Sequence, residues 1–126
     1  MKYLLLIYNT ATGPDPDADA RLQGHITLFN ELDASGTVLS SAALSEDAGV
    51  RTVRISSRGG APAVTDGPFL EAKELLAGYY LVECETPDEA AAIAARIPCG
   101  VGGAVEIRPV NELVTDTVRG DAPYRI

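Results

Sequence analysis

The stretch Asp66-Gly67-Pro68-Phe69 constrains the chain more than any other. Pro68 has no N–H to donate to a ladder, so no central strand runs through it. Gly67 tolerates a positive φ and Pro68 fixes the next φ near −65°. The chain is therefore turned sharply here and mounts the Asp66 carboxylate on a stiff base. A charged run, Glu71-Ala72-Lys73-Glu74, follows, and then the strand pattern Gly78 to Glu85. Asp-Gly is also a favoured hairpin pair in which the Asp bonds its own backbone, so the plain turn reading of Asp66 stands beside a functional one.

On either side the pattern alternates between the two regular periods. Tyr3 to Tyr8 is a continuous apolar run, as expected of a strand covered on both faces. Asp15 or Asp17 can cap a helix, with Pro16 suited to its first position, and the helix is expected from about Asp17 to Ser35 with a stop at Gly36. Its apolar stripe reads Leu22, Ile26, Phe29 and Leu32. Val38 to Leu44 and Val50 to Ser56 read as strands, Arg58-Gly59-Gly60 as a turn, Ala63 to Thr65 as a brief strand, and Glu71 to Leu76 as a helical turn or two. In the Gly78 to Glu85 strand, Tyr80, Val82 and Cys84 share one face and Tyr79, Leu81 and Glu83 the other. Thr86-Pro87-Asp88-Glu89 has both a capping box and a proline at the first helical position. That helix ends at Pro98, and Ala104 to Val110 is the last strand.

This order is a ferredoxin-like β-α-β-β-α-β unit with an inserted hairpin and short helix, an α+β fold. Both helices fall on one sheet face. The opposite face needs a cover, and two sheets paired across a twofold would supply it in a dimeric α+β barrel. The chain of 126 residues suits one domain, residues 1–110, with 111–126 as a C-terminal extension.

The charge balance limits the partners. Ten Lys plus Arg against eighteen Asp plus Glu give a net charge of −8. Nucleic acid and anionic membrane surfaces are disfavoured, since both need a clustered basic face. No apolar run reaches the roughly 20 residues of a membrane span, and the expected location is cytoplasmic. Cys84 and Cys99 lack framework spacing and read as indifferent thiols. With one histidine, metal binding is not expected. Neither Gly59-Gly60 nor the Gly100 to Gly103 segment is a phosphate loop.

Asp66-Gly67-Pro68-Phe69, with Glu71, Lys73, Glu74 and Gly78-Tyr79-Tyr80-Leu81, resembles the DGPF group of the YCII-related proteins. The opening Lys2-Tyr3-Leu4-Leu5-Leu6-Ile7-Tyr8, the helix residue His25, Ile97-Pro98 and the segment Gly103 to Val110 are similar to the same family. The resemblance covers about residues 1 to 110. It implies a dimeric α+β barrel without an organic cofactor, and a His/Asp dyad formed by His25 and Asp66. Lyase-type chemistry on small ring compounds occurs among such relatives, and DGPF members often accompany extracytoplasmic-function sigma factors.

The residues support that chemistry to different degrees. His25 lies at the edge of the helix's apolar stripe, where it is either a core-edge histidine bonded to a backbone carbonyl or a general acid/base. Asp66 would fix its tautomer and support its protonated form. Phe69 is a pocket wall or core filler. Tyr8 and Tyr80 are strand aromatics able to donate to a substrate oxygen. Arg54 projects from a strand face and could bind an anionic substrate. The expected activity is a cofactor-independent lyase or isomerase on an unknown small molecule, acting as a homodimer. The alternative is a non-catalytic module that senses a ligand or contacts a sigma factor. Cofactor-free oxygenation is a third possibility that no residue selects.

Overall fold

The fold is taken from a computed structural model, which describes residues 1–10, 16–45, 49–55, 59–69, 74–99 and 102–111. Six strands and two helices follow in the order β1 (Lys2–Thr10), α1 (Ala18–Ala34), β2 (Val38–Ala43), β3 (Arg51–Arg54), β4 (Ala63–Asp66), β5 (Glu74–Glu83), α2 (Pro87–Arg96) and β6 (Ala104–Pro109). The main sheet has the order β2-β5-β1-β6, and every pairing in it is antiparallel. With the β3–β4 hairpin set aside, this is the ferredoxin-like arrangement expected from the element order, and the fold is α+β.

The sheet faces are assigned by the period-2 alternation of β1. Tyr3, Leu5 and Ile7 are buried, and they join Tyr80 and Val82 of β5, Leu28 and Leu32 of α1, and Ala90, Ala94 and Ile97 around α2 in one core. Val105 and Ile107 of β6 lie opposite Ile7 and Leu5 and extend that core. The alanines of α2 let it approach the sheet closely. Both helices cover this one face. The other face carries Leu4 and Leu6 of β1, paired with Leu81 and Tyr79, all half-buried with no described helix over them.

Two helix ends behave differently. At α2 the Thr86 hydroxyl accepts the Glu89 N–H at 3.2 Å, the Glu89 carboxylate accepts the Glu85 N–H at 2.9 Å, and Pro87 opens the helix. The capping signals there are met. At α1, Asp17 takes the cap position without a side-chain bond, and Pro16 stays outside the helix. Asp15 lies outside the described residues. Arg96 pairs with Glu31 and joins the two helices.

The expected α1 stripe needs correction. Leu28 and Leu32 are the buried residues, Phe29 is partly buried, and Leu22 and Ile26 are 55% and 44% exposed. Only the C-terminal half of α1 is seated on the core. The short helix expected at Glu71 to Leu76 also needs correction. Glu74 to Leu76 begin β5 and pair with Thr10, Asn9 and Tyr8, while residues 71–73 lie outside the described part. The β1 partner offers a ladder there, and a ladder outweighs local helix propensity. The inserted hairpin is a sheet of its own. Val53 pairs with Val64, and both are more than half exposed.

Candidate functional site

A cleft of about 620 Å³ opens where α1 lifts from the sheet. Its cause is side-chain size. Ser41, Ala43, Ala77 and Gly78 form the floor and carry only small side chains. Gly78 cannot be larger, because a Cβ there would lie 2.7 Å from the Ala42 carbonyl oxygen. The α1 wall supplies Arg21, Leu22, His25, Ile26, Phe29 and Asn30. Leu22 and Ile26 are thus exposed into the cleft instead of packed beneath the helix. The volume falls within the range of small-molecule sites.

His25 projects into this space from α1, and Tyr80 rises from β5 to meet it. Their contact, Nδ1 to phenol oxygen, is 3.0 Å. The rings are tilted by 43° with centroids 6.1 Å apart. The Tyr80 ring is buried in the core, so only its hydroxyl end meets the cleft. Burial holds the His25 imidazole below its ordinary basicity, the Arg21 charge lowers it further, and a hydrogen-bonding contact with the Pro98 backbone pulls the other way. Pro98 packs against α1 at Gly24, where a Cβ would come within 2.8 Å of its ring. A proline backbone can only accept, so the imidazole is the donor in that contact. A neutral ring carrying its proton on Nε2 can make both contacts, with the Tyr80 O–H donating to Nδ1. Burial also raises the Tyr80 pKa, which keeps the phenol protonated as such a donor.

The other expected site residues are elsewhere. Asp66 ends β4, its carboxylate is 99% exposed, and its partner is Arg51 at 3.8 Å. The following residue forms the expected turn: Gly67 has φ +96°, its N–H bonds Val50 O at 2.7 Å, and its carbonyl accepts from Thr52 at 2.7 Å. Asp66 is nevertheless not a lining residue of the cleft. Phe69 is 61% exposed, with the Arg54 guanidinium 4.9 Å above its ring. Neither is a lining residue of the cleft: Arg54 ends β3, in a two-stranded sheet separate from the main one, and Phe69 follows β4 of that sheet. Tyr8 points to the sheet face opposite Ile7 and does not line the cleft. Within one chain, His25 and Tyr80 are the expected residues that meet in the cleft, while Arg54 and Phe69 meet away from it.

Arg21 is the residue the sequence reading passed over. It lies four residues before His25, so the two share a helix face. That spacing was the available signal. Asn9, Asn30 and Ser41 complete the polar lining.

Among the described residues no three His, Cys, Asp or Glu side chains gather as metal ligands, and no helix is long and apolar enough to cross a membrane. Cys84 and Cys99 are free and half-buried. Residues 112–126, and with them any sigma-factor contact through the tail, lie outside the described part.

Two comparisons bear on identity. The chain is similar to an uncharacterised protein of Rhizobium meliloti (strain 1021), with 30% identity over 116 residues that cover 87% of this chain and 92% of the relative. The profile of the YCII-related domain matches residues 1–114, nearly the whole chain and all of the elements that build the cleft. The chain belongs to the YCII-related family.

Proposed function

We propose that this protein is a cofactor-independent acid–base enzyme of lyase or isomerase type, acting on a small molecule held between α1 and the sheet. The observation that carries this reading is the half-buried imidazole of His25, bonded to Tyr80 in a cleft of about 620 Å³. A base held below its ordinary pKa is neutral near pH 7 and ready to take a proton. When the Tyr80 O–H turns from Nδ1 toward the substrate, the freed Nδ1 lone pair takes a proton from a substrate carbon and His25 becomes an imidazolium. It then returns that proton to another carbon or to a leaving group. Tyr80 holds the ring orientation.

In this reading the working form is a homodimer, with the half-buried Leu4, Leu6, Tyr79 and Leu81 face covered by a second sheet, and the protein acts in the cytoplasm. Asp66 joins a His25 dyad only by reaching the cleft of the neighbouring subunit, because its own chain leaves it in solvent. A second reading, ligand sensing without turnover, is favoured by one observation: His25 already has partners in its own chain, at Tyr80 and the Pro98 backbone.

Deuterium exchange separates the two without knowledge of the substrate. A panel of small cyclic keto acids and lactones is incubated with the protein in D2O and followed by NMR. The enzyme reading expects deuteration of at least one carbon acid, slowed about 10²–10⁴-fold in His25→Ala with the fold retained. Equal rates in wild type and His25→Ala, or no exchange by the wild type across the panel, would overturn it.

A further inference from the structure

We infer that the cleft takes an enolisable carbonyl compound with an apolar body, and that the Tyr80 hydroxyl receives its carbonyl oxygen while His25 withdraws the neighbouring proton. This rests on the reading of the cleft as the functional site. It adds a second catalytic group to that site and names the substrate class.

The first observation is where the hydroxyl is held. Tyr80 is 3% exposed and belongs to the core with Leu5 and Val82, yet it is a lining residue of the cleft. A ring fixed in the core does not swing away. What stays free is rotation of the O–H about its own C–O bond, so the donor changes acceptors without moving the side chain. Burial raises the phenol pKa, which keeps the proton in place to be donated. The second observation is spacing. The hydroxyl oxygen lies 3.0 Å from His25 Nδ1. In a carbonyl compound the oxygen and the α-carbon are about 2.4 Å apart by standard bond lengths. A donor and a base at the Tyr80–His25 separation therefore address those two atoms together. The third observation is the wall. Ile7, Leu22, Ile26 and Phe29 line the cleft and suit an apolar body on the same molecule.

The step balances on these groups. The α-C–H bond breaks and its proton goes to Nδ1. The electron pair left behind forms a C=C bond, and the carbonyl π pair moves onto oxygen, which becomes an enolate oxygen held by the Tyr80 O–H. On collapse of the enolate the C=O bond reforms. The carbon then takes a proton back from Nδ1, or a β-substituent leaves with its bonding pair and takes that proton instead. The Pro98 backbone accepts from Nε2 throughout and keeps the ring aligned.

The hydroxyl works chiefly in the transition state. A neutral carbonyl oxygen is a weak rival to the imidazole nitrogen for the O–H. As the proton moves, the imidazole loses its lone pair and the carbonyl oxygen gains charge, so the preference reverses. A hydrogen bond to an ionised acceptor is roughly twice as strong as one to a neutral acceptor. The bond made to the substrate is thus stronger in the transition state than in the ground state, which is the condition for acceleration.

The test uses acetophenone, a neutral ketone with an apolar body, as the probe. NMR follows deuteration of its methyl group in D2O. Tyr80→Phe should lower kcat for this exchange about 10²–10³-fold, the size of a lost oxyanion donor, with KM little changed. Circular dichroism checks the fold of each variant. A tyrosine that only orients the imidazole would also slow exchange, so a second readout looks at the ligand oxygen itself. The infrared C=O stretch of bound, carbonyl-labelled acetophenone should fall in His25→Ala, where the hydroxyl has no imidazole to bond, and should return to its apolar-solvent value when Tyr80→Phe is added. No saturable binding of acetophenone, exchange by Tyr80→Phe at the wild-type rate, a loss confined to KM, or a C=O stretch indifferent to the hydroxyl would each overturn the inference. Its failure differs from failure of the enzyme reading. A stretch lowered by Tyr80 without exchange by the wild type would sustain the ligand class and the oxygen site and remove turnover. Exchange abolished in His25→Ala and intact in Tyr80→Phe would do the reverse.

Discussion

Tyr80→Phe isolates the contact on which the site is built. The substitution removes one oxygen and keeps the ring. The ring is 3% exposed and packed with Leu5 and Val82, so the apolar burial, which would cost about 3–5 kcal/mol in an alanine replacement, is preserved. What is lost is one hydrogen bond of 3.0 Å to His25 Nδ1. Such a bond contributes about 0.5–1.5 kcal/mol net. The His25 side chain is half-exposed to the cleft, and water can reach the freed nitrogen, which places the loss in the lower part of that range. For a domain of this size the corresponding fall in melting temperature is about 2–6 °C. Urea denaturation of wild type, Tyr80→Phe, His25→Ala and the double variant closes a cycle that removes the effects of each residue's other contacts. The cycle should return a coupling of at least about 0.5 kcal/mol. Additive single effects, within about 0.3 kcal/mol, would mean that the hydroxyl and the imidazole do not interact, and the description of the site would fall with them.

Other perturbations probe the surrounding framework. Gly78→Ala drives a methyl to within 2.7 Å of the Ala42 carbonyl, and since a backbone oxygen cannot rotate away, denaturation should show a loss of about 1–3 kcal/mol. Thr86→Ala removes the acceptor for the Glu89 N–H and should cost about 1 kcal/mol in the same assay. His25 has a folded pKa below its ordinary value of 6.5, so the unfolded chain binds the proton more readily. Its contribution to stability is present above pH 6.5 and is lost as the pH falls through 6.5 toward the folded value. His25→Gln should flatten that part of the stability profile; the effect is modest, since the open cleft screens the charge. Asp66→Asn touches only an exposed pair and should leave the denaturation midpoint unchanged. A loss of exchange activity in that variant, at unchanged stability, would place Asp66 in the neighbour's cleft.

The parts of the fold that were legible in the sequence are those in which local and global signals agree. The alternating burial of β1 and β5 and the Thr86-Pro87-Asp88-Glu89 start of α2 are set by strand period and cap chemistry. The α1 stripe was misread because periodicity identifies a helix's apolar face but not how much of it the sheet can reach. Leu22 and Ile26 belong to the apolar face, yet the floor beneath them is alanine, serine and glycine. The cavity is a property of two distant segments at once, Ser41 to Ala43 and Ala77 to Gly78, and no local pattern announces it. Glu74 to Leu76 went to β5 because β1 is long enough to pair with them. His25 and Tyr80 were each identified as candidates, but their pairing across 55 positions depends on the register of β5 under α1. The turn at Asp66 was expected from Gly67, which does take a positive φ and bonds to Val50 and Thr52. Those bonds are made within the hairpin, and Asp66 is not a lining residue of its own chain's cleft.

The most direct measurement is an NMR pH titration of the single imidazole in the intact protein, unambiguous because the chain has one histidine. A half-buried His25 beside Arg21, neutral near pH 7 and able to act as a base, predicts a midpoint below 6.5. A midpoint at or above 6.5 would show an imidazole that water and counter-charges reach freely, and would contradict the cleft as the seat of proton transfer.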